Sequence, residues 1–186
     1  MKNSKIVGIF DQVNWDDVIG NLGDSENTHT PSVTAWPAWD TEEESRIGMR
    51  AVFDTWKKAN FNLLAIKWTN FYVGSNYDSK LVDQMANYLN LSGVHRSWIS
   101  SVDPGYMAPW HYDYDDNEHH YLEKGTPRRF TFFITKPSMG HIFILGEDYY
   151  FNNPQGTVIT WDNYKEWHGG INAGLVPKYQ FHLIGY

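Results

Sequence analysis

Read for hydrophobic and polar alternation, the chain divides into a first half with helical periods and a second half with strand periods. Ile6 to Val13 predicts a strand or strand entry, and Trp15 to Leu22 a short helix ended by Gly23. Asp24 to Asp40 has no period and is rich in Ser, Thr, Asn and Pro, so it predicts a loop, with Trp36 and Trp39 pinning it to the body. Thr41 to Ala59 predicts the longest helix. Thr41-x-x-Glu44 has capping-box spacing, and Ile47, Ala51, Thr55 and Ala59 form a line beside Val52 and Trp56. Glu42 to Glu44 suit its positive end and Lys57 and Lys58 its negative end. Asn62 to Val73 reads as a strand pair or one long strand. Asp78 to Asn90 reads as a helix with Leu81, Val82, Met85 and Leu89 inward.

Ser97 to Val102 predicts a strand, turned by Asp103-Pro104-Gly105. Four more follow at Arg128–Thr135, His141–Leu145, Thr157–Trp161 and Lys178–Tyr186. Turn signals lie between them at 136–140, 152–156 and His168-Gly169-Gly170. Helices first and short, evenly spaced strands afterwards predict an α+β, mainly β domain whose C-terminal half is a sandwich or barrel. The length of 186 residues fits a single domain, with 1–95 as helical and strand support and 96–186 as the β core.

Composition narrows the chemistry. A net charge of -7 without a basic face argues against nucleic acid as a partner. With no cysteine, any metal must be held by His, Asp or Glu. Aromatics at 17% suit pleated surfaces or a ring-lined cleft. The apolar run after Met1 is too short for a signal-peptide core, and no stretch reaches membrane-spanning length, so the expectation is a soluble, cytoplasmic protein.

The candidate chemistry centres on Trp98 to Asp113, which ends in His-x-Asp. On a strand, His111 and Asp113 share a face. With a distant His such as His168, they make the two-His, one-carboxylate set of non-haem Fe(II) oxygenases. His-x-Asp by itself is a common accident. Its place after a Pro-Gly turn, with His168 beside a glycine pair, is what raises it. His119 and His120 diverge on an extended chain and read as solvated, and His29, His95, His141 and His182 read as packing or surface residues. Residues 114–127 form a long acidic stretch with the character of a lid. Trp110 and Trp161 read first as core aromatics, and as walls of the site beside that.

Several pieces then resemble a known family: Ser100-x-x-x-Pro104-Gly105 leading to His111, Arg129-Phe130-Thr131, Gly156 to Asp162, His168 and Lys178. Trp98 to Tyr186 is similar to the double-stranded β-helix (jelly-roll, cupin-like) core of Fe(II)/2-oxoglutarate-dependent oxygenases, and within them to the aspartyl/asparaginyl β-hydroxylase branch. The first half carries no such likeness. The resemblance implies Fe(II) on His111, Asp113 and His168. It implies 2-oxoglutarate as cosubstrate, with Lys178, Arg129, Ser100 and Thr131 contacting it, and O2 as oxidant. It implies hydroxylation of an unactivated C–H bond in an amino acid, a peptide side chain or a small metabolite. Some members of that branch lack the carboxylate ligand, whereas this chain has Asp113. Lys178, Gln180 and His182 alternate, so all three are expected to face inward. Two rivals stand beside this reading: a cupin-like metalloenzyme without 2-oxoglutarate, and a non-enzymatic β-sandwich binding module. Oligomeric state is open.

Overall fold

The computed structural model describes residues 4–22, 54–71, 78–112, 127–161 and 166–186. The loop expected at 24–40, most of the helix expected at 41–59, and Asp113 with the 114–126 segment lie outside them. Residues 54–58 are helical, as the expected C-terminal turns of that helix.

Among the described residues, ten strands form two sheets. They are β1 Ser4–Ile9, β2 Thr69–Phe71, β3 Val94–Val102, β4 Met107–His111, β5 Arg128–Phe133, β6 His141–Leu145, β7 Asp148–Phe151, β8 Thr157–Trp161, β9 His168–Asn172 and β10 Lys178–Gly185. The larger sheet has the order β1-β8-β5-β10-β3-β2 and the smaller β4-β9-β6-β7. All the strand pairings within the sheets are antiparallel. From β3 onward the chain passes repeatedly between the sheets, with β6 and β7 as one hairpin in the smaller. That winding is a double-stranded β-helix, and the mainly β, jelly-roll expectation holds.

The two faces of the larger sheet have different roles. Its outer face carries Ile99, Phe130, Phe132, Val158, Phe181 and Leu183, all buried beneath helices α1 (Trp15–Gly20) and α2 (Ser79–Leu89). Asp78 caps α2 by accepting from Lys80 N, and Asn90 ends it in the left-handed region at φ 54°. Its buried face is Leu81, Val82, Met85 and Leu89, the stripe read from the period. Each such side chain contributes roughly 1.5–3 kcal/mol when fully buried. Helices α1 and α2 therefore pack on one sheet, as expected, whereas Trp56 of the helical residues 54–58 packs with Ile66 and Met107.

The inner face looks toward the smaller sheet. Phe133, Ile159 and Trp161 from one side and Phe143 and Leu145 from the other form a second apolar cluster. By strand alternation Lys178, Gln180 and His182 also look inward from β10, with Phe181 and Leu183 in the outer core.

Three readings are corrected. Of the strand or strand pair expected over Asn62 to Val73, the described residues 62–71 hold a 3-10 turn at Leu63–Ala65, then an Ile66–Met107 bridge, then the short β2. β7 was not foreseen. The His168-Gly169-Gly170 turn is instead the start of β9. Its glycines are there for close approach. A Cβ on Gly169 would lie 3.1 Å from the Ala108 carbonyl oxygen, and one on Gly170 would lie 3.1 Å from Lys178 Nζ.

Candidate active site

His111 ends β4 and His168 begins β9, and the two are paired across the strands. Between the Ala108–Gly170 and His111–His168 pairs, β4 has one residue more than β9. This bulge contains Pro109, which has no N–H to give the ladder. The bulge re-aims His111, and the two imidazole centroids lie 4.4 Å apart.

Backbone carbonyls orient both rings. His111 Nδ1 is 2.6 Å from the Pro109 oxygen and His168 Nδ1 3.0 Å from the Glu166 oxygen. A carbonyl only accepts, so each Nδ1 carries a hydrogen and Nε2 is the ring atom a metal would take. That is the arrangement of metal-binding histidines held by an outer partner. His168 is buried and His111 half-buried. Trp161 and Phe143 flank His168 at 5.6 and 6.1 Å, and Trp68 lies nearly parallel to His111 at 6.1 Å. The chemistry of the donor set fits a divalent metal. The described residues supply two of the three ligands expected, and Asp113, which would be the third, lies outside them. No group of three acidic or histidine ligands occurs among the described residues.

At the other end of the space between the sheets, Lys178 begins β10 with only 4% of its surface exposed. Its ammonium donates to the Ile142 carbonyl at 2.6 Å and lies 5.7 Å from the Phe143 ring centre. Among the described residues no carboxylate pairs with it. Desolvation pulls its pKa down to about 7. Phe143 thus stands between the buried cation and His168.

Two further donors share this interior. Gln180 Nε2 and Trp161 Nε1 are buried and have no hydrogen-bond partner among the described residues. Buried polar groups are nearly always paired, so an orphan amide on Gln180 near the buried ammonium and an orphan indole N–H on the Trp161 ring beside His168 describe a space short of acceptors. A dicarboxylate is rich in acceptors and has no donors. The residues present therefore fit 2-oxoglutarate as well as a metal.

The remaining candidates lie on the same inner face. Ser100 Oγ is 2.7 Å from His182 Nε2, and Thr131 Oγ1 is 3.1 Å from His182 Nδ1. Arg129 is buried, with its guanidinium 5.6 Å from the Trp98 ring and 5.7 Å from the Trp161 ring. It sits at the same end of the larger sheet as Trp161, its paired residue on β8, and that ring reaches His168. Arg128 turns to the outer face, over Phe130. Of the expected wall residues Trp161 is in place, whereas Trp110 stacks on Trp167 at 6.5 Å. His182 is no bland packing residue, since it hydrogen-bonds Ser100 and Thr131 in the middle of the cleft. The alternation of polar residues along an otherwise buried β10 was the signal for it. His95 is exposed, and His141 Nε2 meets the Val176 carbonyl at 2.9 Å. His29, His119 and His120 lie outside the described residues.

No protein-family model matches the chain, and no curated protein matches it. Solved structures with a similar course include a prolyl hydroxylase from Trichoplax adhaerens in complex with a hypoxia inducible factor peptide fragment. It has 10% identity and a TM-score of 0.46, covering 92% of this chain and 88% of that one. A viral collagen prolyl hydroxylase from Paramecium bursaria Chlorella virus-1 has 14% identity and a TM-score of 0.45, covering 87% and 97%. An oxidoreductase of the 2OG-Fe(II) oxygenase family from Burkholderia pseudomallei has 10% identity and a TM-score of 0.45, covering 93% and 91%. These likenesses reach no further than the fold. Among the described residues no helix is long and apolar enough to cross a membrane.

Proposed function

We propose that the protein is an Fe(II)/2-oxoglutarate-dependent dioxygenase that hydroxylates a small-molecule or peptide substrate. The observation that carries this is the buried Lys178, without a carboxylate partner among the described residues, in the same interior as the His111–His168 pair. An ammonium is costly to bury alone, and an anionic ligand that supplies its counter-charge removes that cost. His111, His168 and, from the sequence, Asp113 would hold the metal. Lys178 and Gln180 would take the distal carboxylate, and Ser100 and Arg129 would line the path between, with Thr131 behind the His182 ring. Fe(II), 2-oxoglutarate and O2 together supply the oxidising power for C–H hydroxylation, with release of succinate and CO2. The protein's own contribution is orientation and dryness. Its backbone carbonyls fix two imidazole tautomers, and Phe143, Ile159 and Trp161 keep water from the cleft. The finer placement in the aspartyl/asparaginyl β-hydroxylase-like branch rests on the sequence motifs alone.

The test is stoichiometric. Protein loaded with Fe(II) and given 2-oxoglutarate in air should release succinate slowly without prime substrate, and the His111→Ala and His168→Ala variants should release none. Oxygen uptake that proceeds equally well without 2-oxoglutarate would favour the cupin-like alternative and refute this one.

A further inference from the structure

The hydrogen bonds in the middle of the cleft have a direction that can be worked out from burial. Thr131 is 0% exposed, and its side-chain hydroxyl reaches His182 Nδ1 at 3.1 Å. A hydroxyl in a dry site must place its hydrogen on an acceptor, and among the described residues Nδ1 is the one within reach. Thr131 is therefore the donor and Nδ1 the acceptor. A neutral imidazole that accepts at Nδ1 carries its hydrogen on Nε2. That N–H points at Ser100 Oγ, 2.7 Å away. Ser100 Oγ accepts from the ring, so the hydrogen of Ser100 is turned away from it. Trp98 stacks on the imidazole at 4.8 Å and 18°, which fixes the ring plane through which the two bonds are coupled.

We propose that Thr131 and His182 form a one-way relay that commits the Ser100 hydroxyl to donate its hydrogen to an anionic ligand in the cleft. The inference rests on the cosubstrate reading above and deepens it. Thr131 becomes a positioning residue, separated from the ligand by the imidazole, and His182 becomes the residue that transmits the orientation. Ser100 looks across the cleft from β3, two residues from Val102, the residue paired with Lys178. A ligand held by Lys178 thus passes a hydroxyl already turned to give a hydrogen, with no reorientation needed on binding. With the opposite tautomer Ser100 would donate into the ring and present only lone pairs to the anion.

The relay makes a non-additive prediction. Ser100→Ala removes the donor and should weaken 2-oxoglutarate binding about tenfold, measured calorimetrically on protein loaded with redox-inert Mn(II). Thr131→Val touches no ligand but frees the tautomer, and should cost a similar factor. Thr131→Ser should restore the affinity. The double variant should bind no worse than Ser100→Ala alone, because both changes act through one hydroxyl. Metal affinity should stay unchanged in all four. Nitrogen chemical shifts of His182 in ligand-free protein should show the Nε2–H tautomer in the wild type and a mixture in Thr131→Val. Additive losses, full affinity in Thr131→Val, or an Nδ1–H tautomer in the wild type would overturn the relay. A wild type that binds no 2-oxoglutarate yet shows Nε2–H would sink the cosubstrate reading, and with it the ligand the relay is meant to serve. An Nδ1–H result with normal binding would sink the relay alone.

Discussion

His111 and His168 are cross-strand partners whose rings lie 4.4 Å apart, and each is turned by a carbonyl two residues back along its own chain. Backbone register and backbone carbonyls therefore set the pair. Removing either imidazole should lower divalent-metal affinity by more than the ~10–100-fold typical of losing an outer-shell partner. Competition with a fluorescent chelator on His111→Ala and His168→Ala measures this. Binding equal to the wild type would place the metal elsewhere.

Gly169 and Gly170 separate the two ends of the cleft. A methyl at Gly169 presses on the β4 backbone at Ala108 and Pro109, the bulge that aims His111. A methyl at Gly170 presses on Lys178 Nζ. Gly169→Ala should weaken metal binding, whereas Gly170→Ala should leave the metal alone and raise the 2-oxoglutarate dissociation constant. Paired titrations of metal and cosubstrate read both, and the reverse pattern would contradict the placement of the two subsites.

Lys178 makes stability depend on pH. Its folded pKa of about 7 lies below the unfolded value of 10.5, with burial as the cause. Between those values the unfolded chain binds more protons, so stability rises with pH, by up to ~1.4 kcal/mol per unit, and is lost as pH falls from 10.5 to 7. Lys178→Met should be more stable than the wild type at pH 7 and should lose this slope. Urea unfolding at several pH values decides it.

The same ammonium should link cosubstrate binding to protons. An anion that needs Lys178 charged raises its pKa, so above pH 7 binding takes up a proton and affinity falls by up to tenfold per unit. Lys178→Arg keeps its charge throughout this range and should bind with a flat profile. Calorimetry in buffers of different ionisation enthalpy measures the proton uptake directly. Zero uptake in the wild type would remove Lys178 from the ligand.

The parts of the fold that follow local rules were legible from the residues. Asp78 and Asn90 bounded α2, and Leu81, Val82, Met85 and Leu89 marked its buried side. The inward alternation of Lys178, Gln180 and His182 was also readable, because a strand has period two. Gly169 and Gly170 were misread because glycine signals either a turn or a close approach, and only the neighbouring strand decides which. β7 was missed since Tyr149, Tyr150 and Phe151 alternate in burial but not in polarity. The His182 hydrogen bonds depend on Ser100 and Thr131, 82 and 51 residues away, a coincidence set by sheet order. No local pattern carries it.

The proposed function requires one cleft with a metal at one end and a dicarboxylate at the other. It is tested most directly by adding 2-oxoglutarate anaerobically to the Fe(II)-loaded protein and watching for the visible metal-to-ligand charge-transfer band. A saturable band is expected in the wild type, with its loss in His168→Ala and a large rise in the 2-oxoglutarate needed to produce it in Lys178→Met. No band in the wild type, or a band whose midpoint ignores Lys178→Met, would contradict it.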